Sequence, residues 1–304
     1  MTAPDTVAIA TAPALADGSR PSAFRLFLRS PVSLVGSIVL LVMIAAAILG
    51  PALAPYGVNE TDIAGALRPP SAEHWFGTDD LGRDVFSRVV IAAQVSLRVA
   101  VVSVAIALVV GVLLGIISGY AGGWADGVLM RIVDVMFAFP MLILALAIVA
   151  VLGPGANTAT IAIGVVYVPI FARVARASTL SVRSEPFVRA SQTMGTGAGR
   201  ILAKHILPNI SGPIIVQTSL SLAFAILSEA ALSFLGLGVQ PPQPSWGRML
   251  FEAQSFLGSE WWVAVFPGLA IFLTVLSCNL VGDGLRDVLD PKQRSVIESR
   301  SARR

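Results

Sequence analysis

The sequence predicts an all-α, polytopic membrane fold, and three observations carry that prediction. Of 304 residues, 55% are hydrophobic and only 13% are charged, about half the charge of a soluble globular domain. Mean hydropathy is +0.80. Apolar runs of at least eighteen residues recur along the chain, and about twenty residues of helix cross a hydrocarbon core of about 30 Å. Six such spans are placed at about 32–54, 92–118, 129–152, 158–178, 211–236 and 262–282.

The first thirty residues are rich in small residues, Pro and Thr, and lack a basic region ahead of a short apolar core, so a cleaved signal peptide is not expected. Residues 1 to about 20 read as a disordered tail, and Arg20, Arg25 and Arg29 directly precede the first span. Six spans put both termini on one side. The segments then facing inward hold Arg173, Arg176, Arg183, Arg189, Arg200, Lys204, Arg286, Lys292, Arg294, Arg300, Arg303 and Arg304, which the positive-inside rule assigns to the cytoplasm. The outward segment 55–91 is richer in acids: Glu60, Asp62, Glu73, Asp79, Asp80 and Asp84 against Arg68, Arg83 and Arg88. The chain therefore divides into a cytoplasmic tail (1–30), a first span with an outer loop (31–91), a core of spans (92–282) and a second cytoplasmic tail (283–304). Three connections are long, at about 55–91, 179–210 and 237–261, and function is expected on them and in the bundle centre.

The segment SEPFVRASQTMGTGAGRILAKHILPN, about 184–209, holds too many charges and glycines to enter the bilayer. Ser184-Glu185-Pro186 reads as a helix start, since Ser can cap, an acid suits the positive helix end and Pro needs no donor in the first turn. A helix of about nine residues is expected, then a break at Gly195, Gly197 and Gly199, then a second short helix at about 200–207 leading to Pro208. Such a surface helix–turn–helix, continuous with two spans, suits docking of a partner and transmission of force.

These residues resemble the EAA loop of ATP-binding cassette importer permeases, with Arg189, Ala190 and Ser191 at the triplet, Gly195 at the glycine, and Leu207-Pro208 at the close. Arg189 stands where that pattern has glutamate, and Ser191 where it has its second alanine. The stretches HWFGTDDLGRDVFSRVV (74–90), GYAGGWADGVLMRIVDVMFAFP (119–140), LSFLGLGVQPPQPSWGRML (232–250) and NLVGDGLRDVLDP (279–291) are similar to the C-type permease of dipeptide and oligopeptide importers. The resemblance implies a type I permease fold in the bacterial inner membrane. It also implies a second homologous permease, two cytoplasmic ATPases that bind ATP and Mg, and an outer solute-binding protein. It further implies import of peptides or, as in relatives, of glutathione, nickel or other small solutes. The ATPase-contacting set it points to is Arg189, Ala190, Ser191, Thr193, Met194, Gly195 and Thr196, with Pro208 closing the loop.

The residues themselves supply no catalytic machinery. A P-loop needs a lysine after glycine, and the two lysines, Lys204 and Lys292, follow Ala203 and Pro291. No cofactor and no nucleic acid is expected to bind this chain. His74 and His205 fall on opposite sides in this topology, which excludes a metal site shared between them, and His74 reads as part of a solvated turn. Cys278, alone, reads as a small buried hydrophobe. Arg98, Asp134 and Glu229 lie in or near spans, where charge is costly; Glu229 and Asp134 are candidate pathway or helix-packing residues. Trp75, Trp246, Trp261 and Trp262 read as anchors at the outer lipid interface, and Gly111 and Gly115 as a close-packing pair. A stand-alone secondary transporter would need internally paired charges and an inverted repeat; a membrane enzyme would need reactive groups at one depth. Neither pattern is present.

Overall fold

The computed structural model describes Phe27 and residues 30–289, and the two tail assignments lie mostly outside these residues. Ten α-helices are described, with no strand among the described residues: α1 Pro31–Leu53, α2 Val85–Ala121, α3 Gly123–Phe137, α4 Met141–Leu152, α5 Ala156–Arg183, α6 Pro186–Thr193, α7 Ala198–Ile201, α8 Leu207–Phe234, α9 Trp246–Ala253 and α10 Trp262–Leu289. Five helical stretches are long and apolar enough to cross a membrane, or six if α3 and α4 count as one bent span.

Two of the long helices begin at side-chain caps. Ser30 caps α1 by accepting the Ser33 amide, with Pro31 in the first turn. Asp84 caps α2 in the same way, accepting the Ser87 amide. The residues just after Asp84 and the predicted span from residue 92 are thus one helix of 37 residues, about 55 Å long at 1.5 Å per residue. It overhangs a hydrocarbon core.

The third predicted span, 129–152, is corrected. Its hydropathy is continuous, but α3 and α4 meet at 89°. Pro140 offers no amide and forces its predecessor out of the helical region, so the helix stops before it and restarts at Met141. Two further readings change around residue 200. Ser184 does not cap α6; its hydroxyl donates to the Ser181 carbonyl and Glu185 takes the cap position. The second short helix is not separate, since α7 runs through a π-turn, Leu202–Ile206, straight into α8. Pro208 lacks the donor that would bond back to residue 204, and the wider turn just ahead of it accommodates that loss.

The core lies where α2 and α5 cross. Gly111, Gly115 and Gly119 of α2 lie against α5: a Cβ on Gly111 would stand 2.6 Å from Phe171 Cβ, and one on Gly119 2.9 Å from Thr179 Cβ. Absence of side chains there brings the backbones together. Around this pair pack α8 and α10, while α1 stays peripheral: 17% of its apolar window is buried, against 61% for α5.

Candidate functional site

The bundle has two unlike ends. Residues 54–84 and 235–261 form a capped end, and residues 184–206 form a loop end.

At the capped end the chain is held by buried polar contacts. Thr78 Oγ1 donates to the Gly65 carbonyl (2.6 Å) and accepts the Arg68 amide (2.8 Å). Asp79 Oδ1 accepts the amides of Leu81 and Arg83. Arg83 reaches both Asp79 (2.7 Å) and Glu252 of α9 (3.1 Å), and buried Arg88 reaches the same Glu252 oxygen at 2.9 Å. Burial and neighbouring Asp79 raise the carboxyl of Asp80 above its ordinary value.

Trp246 and Trp262 are corrections to the anchoring assignment. Both are buried, Trp246 completely. Their indole nitrogens donate to the Val89 carbonyl (3.0 Å) and the Thr78 carbonyl (3.1 Å). Hydropathy places an indole at an interface but cannot see that a backbone carbonyl is waiting for it inside. Trp75 and Trp261 remain exposed. His74 is also corrected: rather than lying in a solvated turn, it packs on Tyr56 with ring centroids 4.8 Å apart and its Nδ1 is 2.9 Å from Asp84.

Glu229 lies near the same end, fully buried. Its Oε1 accepts the Ser233 hydroxyl at 2.7 Å, and the hydroxyls of Ser245 and Ser96 face the carboxyl. Ser233 in turn accepts the Val239 amide. Through Ser233, Glu229 is linked to the connection between α8 and α9. Arg98 is exposed on α2, about 20 Å from the helix start.

The loop end is organised differently. In α6 one face is buried and one is presented. Val188 and Ser191 point inward, and the Ser191 hydroxyl donates to the Phe187 carbonyl. Arg189, Ala190, Thr193, Met194 and Gly195 are exposed, Met194 at 76%, and Thr196 is partly so. Gly195 has φ +75° and nothing within 4 Å of a Cβ placed there, so glycine is required by the turn and not by crowding. Gly197 is extended and Gly199 is helical. The Gly195 amide donates to the Gln192 carbonyl and the Thr196 amide to that of Ser191, closing the carbonyl end of α6. Ile201, Ile206 and Ile210 are fully buried beneath. Pro208 is exposed but sits in the first turn of α8, away from the tip. The arrangement is a small exposed platform on a rigid root, with α5 entering it and α8 leaving it.

Asp134 belongs to a third region. It pairs with Arg173 of α5 at 2.7 Å, both half-exposed, and the Arg173 guanidinium lies 4.0 Å from the Phe137 ring centre. Nearby, Arg176 makes two bonds of 2.6 Å to Asp126. The second pair was not found by sequence reasoning, although an acid in α3 and a base in α5 within apolar surroundings were its signal.

Residues 111–295 match the family of binding-protein-dependent transport system inner membrane components, and residues 22–70 match the N-terminal membrane domain of oligopeptide transport permease C. A dipeptide transport system permease, DppC, of Alkalihalophilus pseudofirmus is 49% identical over 90% of each chain. A probable D,D-dipeptide permease, DdpC, of Escherichia coli is 44% identical over 86% of this chain and 88% of that one. A glutathione transport permease, GsiD, of Shigella flexneri is 47% identical over 88% and 89%. The fold also matches a solved chain of the MetNI methionine ABC transporter, with a TM-score of 0.56 and 17% identity over 67% of this chain and 96% of that one. The chain accordingly belongs to the binding-protein-dependent inner membrane components, as a non-catalytic, multi-pass ABC permease subunit.

Proposed function

We propose that this chain forms half of the translocation pathway of an ATP-driven importer of di- and oligopeptides, with the platform around Gly195 as the dock for a cytoplasmic ATPase. One observation carries the assignment of the dock: Arg189, Ala190, Thr193, Met194 and Gly195 are presented together beside a turn, with α6 following α5 after a two-residue break and α7 running unbroken into α8. Ser191 and Thr196 contribute from the inner side, the first by fixing the helix from within. ATP and Mg bind the partner subunits, and nucleotide binding there biases the permease between two arrangements.

The partners are a second, homologous permease, two ATP-binding cassette subunits, an outer solute-binding protein and membrane lipid. The loop end faces the cytoplasm. Arg189, Arg200, Lys204 and Arg286 lie at that end, against Glu60, Asp62, Glu73 and Asp80 at the capped end, as cation bias predicts. Both termini then lie in the cytoplasm. Peptide is favoured as cargo by the names of the two dipeptide relatives. Glutathione, itself a peptide-like anion, is the second reading, favoured by the permease named for it.

Co-purification of the complex in detergent, with ATPase assays of wild type and Gly195→Asp, tests the assignment. The expected result is that the ATPases and second permease co-purify with wild type, and that the substitution strips or uncouples the ATPases while leaving expression intact. Purification of a wild-type chain that transports alone would overturn it.

A further inference from the structure

α3 is weakly rooted. Of its fifteen residues only Val133 is buried. It starts at Gly122–Gly123, both with positive φ (+68° and +54°), and a Cβ on Gly123 would meet nothing within 4 Å. Its end is the 89° break before α4. A rigid segment between two such joints is an arm, and apolar packing does little to fix its position.

Charge holds it instead. Arg176 of α5 grips Asp126 through Nε and Nη2, both at 2.6 Å, in the bidentate geometry that is strongest for this pair. The Ser118 hydroxyl, at the end of α2, donates to the same carboxylate. Two residues on, Tyr120 meets Gln192 of α6 at 3.5 Å, and Arg183 lies over the Tyr120 ring (5.7 Å) while donating to the Gly119 carbonyl (3.4 Å). A continuous line of contacts therefore runs from the exposed loop, through the ends of α2 and α5, to the arm.

We propose that Asp126 and Arg176 are positioning residues, forming the clamp by which movement at the α6 loop is passed to α3, so that the arm follows α5 and bends at Gly122–Gly123 and at residues 138–140. This rests on the loop being the ATPase dock. The two joints are where the arm can bend, and the ion pair supplies the connection.

The test uses the complete complex in liposomes, reading peptide uptake and ATP hydrolysis in the same vesicles. For Asp126→Asn, uptake per ATP hydrolysed falls about tenfold while hydrolysis stays within about twofold of wild type. Asp126→Glu restores most of the ratio, as does the charge exchange Asp126→Arg with Arg176→Asp. Equal loss of uptake and hydrolysis, an unchanged ratio, or no rescue by either compensating variant overturns the clamp. So does failure of every Asp126 variant to assemble, which would make the pair a folding contact. Failure of the wild-type chain to bring down ATPases is a separate result and overturns the docking assignment instead.

Discussion

The two ends of the bundle solve opposite problems with the same kinds of residue. At the capped end, Asp79, Arg83, Arg88, Trp246 and Trp262 are turned inward, and Glu252 holds Arg83 and Arg88 together while accepting from Arg248 at 3.0 Å. At the loop end, Arg189 and Met194 are turned out, and only isoleucines, Val188 and Ser191 are inside. Buried polar groups must be satisfied or they cost several kcal/mol, so the capped end is geometrically committed. The loop end leaves its polar groups to water, so its outer face is free to bind. Stability and recognition are thereby separated along one molecule.

The sharpest break of this contrast is Trp246→Ala. It removes a fully buried ring together with its indole bond to the Val89 carbonyl, and loss of about 3–5 kcal/mol is expected, read as a large drop in the detergent unfolding midpoint or as loss of expression. Glu252→Ala comes next. It leaves buried Arg88 only its 3.5 Å contact with Asp79, which Arg83 shares, and about 2–3 kcal/mol is expected by the same assay, because Glu252 itself is partly solvated. Met194→Ala sharpens the comparison from the other side: a change within about 0.5 kcal/mol in stability, with ATPase co-purification weakened all the same. A destabilised Met194→Ala, or a Glu252→Ala as stable as wild type, would erase the distinction between the two ends.

Much of the fold was legible because lipid imposes simple rules. Long apolar runs become helices, since an unpaired backbone cannot be left in hydrocarbon. The loop around Gly195 was legible for the converse reason: its glycines and charges cannot enter the bilayer, and a left-handed turn asks for glycine. The inward turn of Ser191, beside outward Ala190, was not. Both are small, and only the direction in which α6 lies on Ile201 and Ile206 decides which is covered.

What the sequence determined by itself, then, was the class of solvent, the helices and the exposed loop, because each follows from local composition and spacing. Tertiary structure alone decided that Trp246 and Trp262 are interior and that Asp126 meets Arg176. Each of these depends on a partner far away in the chain, and hydropathy along a sequence records only how much a residue prefers to leave water, never which carbonyl or guanidinium it will meet when it does.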